Sequence, residues 1–254
     1  MKLFRAVIEY FFSCVIAFFC LPAILGFALL IYLYDRQNPF YISLRVGKNG
    51  KVFKMVKLRT MSPAKTEDEN ETTLERLNKI ASPNDDERIT SIGRLVRRIK
   101  IDEFAQIINV LKGDIKLVGP RPQLPIEVSR YTNLEKNILN VKPGITDISS
   151  IVFADQGDIL KNIENPYLLY AQIELPWKSR LALLYVQHAS FWLDIRLIFY
   201  TFTNMFARRW TLRRLSHIVE KWPSDVKDLP KIVGRSIPLY PYPVPGSSDI
   251  ITKL

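Results

Sequence analysis

Cysteine and histidine are close to absent from this chain. Its two cysteines, Cys14 and Cys20, fall in an apolar N-terminal run, and its two histidines are His188 and His217. Neither a disulfide framework nor a Cys/His zinc cluster is supported by that inventory, which suits a catalytic domain facing the cytosol. Negative charge is also in deficit, with 25 acidic residues against 36 basic ones and a net charge of +11. Partners are therefore expected to be anionic: nucleic acid, acidic lipid headgroups or phosphorylated substrates. With 254 residues and 48% apolar composition, the chain can bury a core in one or two domains.

Charge is missing altogether from Tyr10 to Tyr34. The run is longer than a signal-peptide core of ~7–15 residues and lacks a clear small-x-small cleavage site, so it reads as a membrane segment. Lys2 and Arg5 precede it and Arg36, Arg45 and Lys48 follow it, which gives both flanks the sign of a cytoplasmic face. Pro22 lies near the middle, where it removes a backbone donor and can kink or break a helix. A helix that enters, bends at Pro22 and returns explains the flanks. A spanning helix with a tolerated proline competes closely.

Two β-prone runs, Tyr41 to Val46 and Val52 to Arg59, flank Gly47-Lys48-Asn49-Gly50, a hairpin signal. Period two puts Phe53, Met55, Lys57 and Arg59 on one face, where the two cations either reach one anion together or are simply solvated. Ser62 to Asp86 is polar, with Glu67, Asp68, Glu69 and Glu71 close together, and is expected to be a mobile insertion with one short helix.

The densest chemistry is the tract Arg97-Arg98-Ile99-Lys100-Ile101-Asp102-Glu103. Ile101, Phe104, Ile108 and Leu111 repeat at helical spacing up to Gly113, which puts both acids in a first helical turn, where capping alone favours them. The cations argue for chemistry, because a carboxylate that must approach a diphosphate needs the substrate's charge neutralised. Asp102 is expected to be ionised at neutral pH without special tuning. Arg121 stands between Pro120 and Pro122, whose rings fix the backbone and pre-organise a guanidinium for phosphate. Pro143-Gly144 reads as a type II turn serving connectivity.

In order, Arg45-Val46-Gly47-Lys48-Asn49-Gly50, Lys57-Leu58-Arg59-Thr60-Met61, Arg88-Ile89-Thr90 with Ile92-Gly93-Arg94, Asp102-Glu103, Asn109 to Asp114, Leu117 to Pro122, Lys142 to Thr146 and Leu175 to Thr201 resemble the bacterial sugar transferase family, the monotopic phosphoglycosyl transferases. The resemblance covers most of residues 1 to about 205. It implies that Asp102 is the nucleophile toward a nucleotide sugar, commonly a UDP-sugar. Polyprenyl phosphate then takes the phosphosugar. It implies Glu103 as the second member of the dyad, Mg2+ placed at Asp102 and Glu103, and Lys57, Arg59, Arg97 and Arg121 around the phosphates. Asp194 matches a family acid of unspecified role. It also implies a bacterial inner membrane location with the catalytic domain on the cytoplasmic face.

The chain departs from the family pattern at its opening residues, at Ser43, at Ile99-Lys100 and at Asp147, and has Leu21 rather than Ser before Pro22. The expected fold is α+β and mainly helical: a membrane helix over 1–36, re-entrant at Pro22 or spanning, then a catalytic domain over 37–207 with a β-hairpin and amphipathic interfacial helices. A basic, Pro-rich extension over 208–254 completes it. Leu181 to Ala207 is apolar but interrupted by charge, suited to the membrane surface or the core. Arg208, Arg209, Arg213 and Arg214 suit anionic lipid headgroups better than nucleic acid. The Pro/Tyr tail is by default a linker. Expected partners are a nucleotide sugar, polyprenyl phosphate and membrane lipids, no nucleic acid, with a homodimer open. A non-catalytic membrane-surface scaffold for glycan assembly is the alternative function.

Overall fold

The computed structural model describes residues 2–62, 75, 77, 78, 81 and 83–252, with side chains from Glu9 onward. It is mainly helical, with two small sheets. Helix α1 (Lys2–Asp35) leads into the hairpin strands β1 (Phe40–Val46) and β2 (Val52–Leu58). Then come α2 (Ser91–Arg98), α3 (Ile101–Phe104), α4 (Ile107–Leu111), β3 (Lys116–Val118), α5 (Pro125–Val128), β4 (Gly144–Thr146) and α6 (Ile148–Val152). The remaining helices are α7 (Gln156–Ile159), α8 (Pro166–Ile173), α9 (Leu175–His188), α10 (Phe191–Phe206), α11 (Arg208–Val219) and α12 (Leu229–Val233).

Among the described residues, α1 alone is long and apolar enough to cross a membrane. Its helical run continues through Pro22, where proline removes one backbone bond without ending the helix. Ile24, Ala28 and Ile31 bury one stripe in the core at helical spacing, while Phe11, Phe18, Phe19, Leu25 and Leu29 stay exposed. Both ends are tied to the same domain. Glu9 Oε2 lies 3.0 Å from Lys116 Nζ, and Asp35 accepts two bonds from Arg59, at 2.6 and 2.7 Å.

The hairpin forms as expected, antiparallel, with Tyr41 opposite Lys57 and Val46 opposite Val52. Asn49 and Gly50 take φ of 56° and 77° in its turn, a left-handed pair that Asn-Gly adopts with little strain. By contrast, Pro143-Gly144 is not a type II turn. Gly144 has no positive φ and begins β4, which runs parallel to β3. It is glycine because a Cβ would strike the Gly119 amide nitrogen. A comparable approach holds α2 to the end of the hairpin, where a Cβ on Gly93 would overlap the Thr60 carbonyl. Backbone cannot yield there, so Gly93→Ala is expected to destabilise the fold by about 3 kcal/mol, read as a lower denaturation midpoint.

The segment expected as one helix from Ile101 is two short turns, α3 and α4. Bonds of the tighter i to i+3 kind, from Gln106 N to Glu103 O and from Asn109 N to Gln106 O, carry the chain between them. Leu181 to Ala207 also divides, at Ser190, whose hydroxyl accepts from Leu193 N and caps α10. Its first part, in α9, is core, with Leu181, Leu184 and Tyr185 buried; α10 instead exposes Trp192, Ile195, Phe199, Phe202 and Phe206 as a helical stripe.

Much of the Ser62 to Asp86 insertion lies outside the described residues. Leu77 and Ala81 pack with Leu160, Tyr167 and Tyr170. The Pro/Tyr tail is a strap and not a linker. Tyr242 stacks on Trp177 with ring centroids 5.0 Å apart, the Arg180 guanidinium lies over Tyr242 and donates to the Pro243 carbonyl at 2.7 Å, and Thr132 donates to Pro245. Aromatic area and a buried guanidinium supply what prolines cannot donate.

Candidate active site

One buried amide places the hairpin over the turn that carries Asp102 and Glu103. Asn109, in α4, accepts from Val56 N at 3.0 Å and donates to Lys54 O at 2.7 Å and to Asp114 at 3.0 Å. These bonds fix β2 against α4, and the next residue along β2, Lys57, then reaches Glu103 in α3. Its Nζ lies 3.2 Å from Glu103 Oε1, and Arg121 Nη2 donates to the same oxygen at 2.6 Å. The sequence reading gave Asn109 no role. Its signal was a single amide within an apolar helical stripe.

Arg121 is carried by the segment after β3, which the Gly119–Gly144 approach and the Gly144 N to Pro120 O bond of 3.0 Å hold in place. Arg97 enters from α2 and donates through Nε to Thr60 Oγ1 at 2.9 Å. Its charge acts on Asp102. Lys57, Arg97 and Arg121 are thus brought together with the two acids. Arg59 is not: Asp35 and the Asn38 carbonyl take its guanidinium, which makes it the fastener of α1 to the hairpin. Of the two alternatives open for Lys57 and Arg59, neither holds: β2 ends at Leu58, and the two cations go to different acids, Lys57 to Glu103 and Arg59 to Asp35. Asp194, on α10, lies 2.8 Å from the Tyr185 hydroxyl, which is also 3.3 Å from the Val118 carbonyl. That chain braces the strand leading to Arg121.

The two acids differ in state. Burial works to raise the Glu103 carboxyl, but Arg121 and Lys57, helped by Lys100, outweigh it and hold the group far below the usual carboxylate range. Asp102 goes the other way. Burial and then the neighbouring Glu103 charge raise it, and Lys57, Arg97 and Arg121 offset this only in part. The expectation of an untuned Asp102 is corrected accordingly: its carboxylate accepts no hydrogen bond from the described residues, so little compensates for its desolvation. Neither acid caps its helix; Lys100 occupies the cap position, with a φ of 56°.

This arrangement leaves one carboxylate locked among cations and one without a hydrogen-bonded partner among the described residues. Lys57 and Arg121 both bond Glu103 through Oε1, so Oε2 and the Asp102 carboxylate remain available to a cation. Two carboxylate donors with substrate phosphates as further ligands is a set that Mg2+ accepts. No group of three or more His, Cys, Asp or Glu side chains suited to a metal occurs among the described residues. Any such ion would be shared with the substrate. When bound, it would neutralise diphosphate charge.

Residues 1–208 match the profile of the family described as bacterial sugar transferase. The chain belongs to the bacterial sugar transferase family. A Bacillus subtilis (strain 168) relative of this sugar transferase, named as a putative undecaprenyl-phosphate N-acetylgalactosaminyl 1-phosphate transferase, is 36% identical over 51% of the chain and 67% of its own length. The sugar transferase EpsL of the same organism is 34% identical, over 70% of the chain and 76% of EpsL. A longer relative, the UDP-glucose:undecaprenyl-phosphate glucose-1-phosphate transferase of Klebsiella pneumoniae, is 29% identical over 71% of the chain and 35% of its own length. By class, this sugar transferase is a phosphoglycosyl transferase enzyme.

Proposed function

We propose that the enzyme moves a phosphosugar from a UDP-sugar to polyprenyl phosphate through a covalent aspartyl intermediate, as the first membrane step of glycan assembly. The observation that carries this reading is the unpartnered Asp102 carboxylate beside the Lys57–Glu103–Arg121 cluster. An Asp102 oxygen attacks the sugar-bearing phosphorus, the bond from that phosphorus to the bridging oxygen breaks, and UMP leaves with the electron pair. An acceptor phosphate oxygen then attacks the same phosphorus, and the Asp102 carboxylate is released as the polyprenyl diphosphate sugar forms.

Charge repulsion is the obstacle in the first step. Two unit charges at ~4 Å interact by roughly 4 kcal/mol at an effective dielectric near 20. Lys57, Arg97 and Arg121 reduce that barrier, and Glu103 keeps Lys57 and Arg121 oriented. Asp102 and Glu103 are the residues that would hold Mg2+, which would add to the neutralisation of diphosphate charge.

The second substrate is a lipid, and the fold supports attachment from one side of the bilayer. A spanning helix sets its ends ~30 Å apart on opposite faces, whereas α1 contacts the same domain at Glu9 and at Asp35. The exposed stripe of α10 supplies a second apolar surface. In this reading the domain lies on the cytoplasmic face of the bacterial inner membrane. A panel of nucleotide sugars, assayed for nucleoside monophosphate with and without polyprenyl phosphate, tests it. Stoichiometric UMP release without acceptor and turnover with it are expected; no release from any donor would leave the scaffold reading.

A further inference from the structure

We propose that Lys100 and Arg208 form the receiving site for the acceptor's lipid-borne phosphate, approached from the α10–α11 junction. The inference rests on the phosphosugar-transfer reading above and adds residues to it. Both cations are fastened to one short stretch of backbone. Lys100 Nζ donates to the Ala154 carbonyl at 3.2 Å, while Arg208 donates to the Ile151 carbonyl at 3.3 Å and the Val152 carbonyl at 3.0 Å. Asp155 is the nearby counter-charge, and Arg208 and Arg235 already share its Oδ1, at 2.8 and 2.9 Å.

Lys100 forms no ion pair with any described residue, and its only hydrogen bond there is to Ala154. It is nonetheless exposed and within electrostatic reach of Glu103, Arg121, Arg208 and Asp102. Its left-handed φ of 56° is a conformation that a non-glycine residue holds against strain, which surrounding structure must maintain. A strained, solvent-reaching cation beside other cations marks a place for an anion.

The surroundings select the kind of anion. Arg208 stands between Phe206, 88% exposed, and Trp210, 43% exposed, with the α10 stripe leading up to it. A phosphate on a long apolar chain satisfies cation and stripe together, whereas a nucleotide sugar has nothing to lay along the stripe. Lys57 and Arg121 serve the donor from other elements.

The test uses the full-length enzyme in phosphatidylcholine nanodiscs, with Lys100→Met compared with the parent and Lys100→Arg. The half-saturating polyprenyl phosphate concentration should rise at least tenfold in Lys100→Met and recover in Lys100→Arg. Because Lys100 also helps to hold Glu103 ionised, single-turnover UMP release without acceptor should fall as well, but by less than threefold, with the half-saturating UDP-sugar concentration changing by no more than that. An unchanged acceptor requirement, or equal losses in both half-reactions, would overturn the assignment. Excess phosphatidylglycerol should leave acceptor saturation of the parent unchanged; competition by it would reassign the site to anionic headgroups. If the parent itself released no UMP without acceptor, the covalent mechanism would fail, a result separable from any effect of Lys100.

Discussion

Asp102→Asn is expected to abolish UMP release, with turnover falling by a factor of ~10³ or more, because an amide oxygen is a far weaker nucleophile than a carboxylate. Two further readouts separate lost chemistry from lost structure. Intact-mass measurement of the parent with UDP-sugar should show a phosphosugar adduct that the variant lacks. Thermal stability of the variant at neutral pH should be equal or higher. The sign follows from burial: a carboxyl whose pKa is raised in the folded state binds its proton more tightly there, so ionisation above that pKa weakens the fold. Asparagine removes this penalty. For the same reason, UMP release by the parent should rise with pH through an apparent pKa above the ordinary Asp value. Turnover by Asp102→Asn equal to the parent would end the nucleophile assignment.

Arg121→Met should have the next largest effect. Arg121 supplies the shorter of the two contacts to Glu103 Oε1, at 2.6 Å, and is the guanidinium held between two prolines. Its loss removes phosphate-stabilising charge, for which a 10²–10³-fold drop in turnover is expected. It also leaves Glu103 with Lys57 as its one hydrogen-bonded cation. The pair is about two-thirds shielded, with exposures of 33% and 27%, so the stability cost should be ~1–3 kcal/mol rather than that of a fully buried pair. Calorimetry at several pH values would show the same group by its sign. Glu103 is held low, so its contribution is present above the unfolded Glu pKa of ~4.3 and fades as pH falls through the folded value. Arg121→Met should flatten that acid limb. Retention of most activity together with an unaltered acid limb would show that Glu103 and the substrate phosphates do not depend on this guanidinium.

Much of this was legible in the linear chain. A charge-free N-terminal run, an Asn-Gly hairpin turn and a proline-flanked arginine are local signals, fixed by hydropathy and backbone sterics within a few residues. They named the long apolar helix, the hairpin and Arg121. Asp102 and Glu103 were legible as a pair, though local sequence did not distinguish one from the other.

Tertiary structure made that distinction, because a pKa depends on which charges and how much water lie nearby in space. Lys57 and Arg121 arrive from 46 and 18 residues away to hold Glu103, while Asp102 is left desolvated and unpaired. Contacts at a distance also moved Arg59 to Asp35, turned the Pro/Tyr tail into a strap over Trp177, and gave Asn109 the task of seating β2. The sequence alone determined which residues carry chemistry and charge, through side-chain type and local periodicity. Only the fold decided which carboxylate is neutralised and which is free, because that choice rests on Coulomb energy and burial, and both are properties of distance.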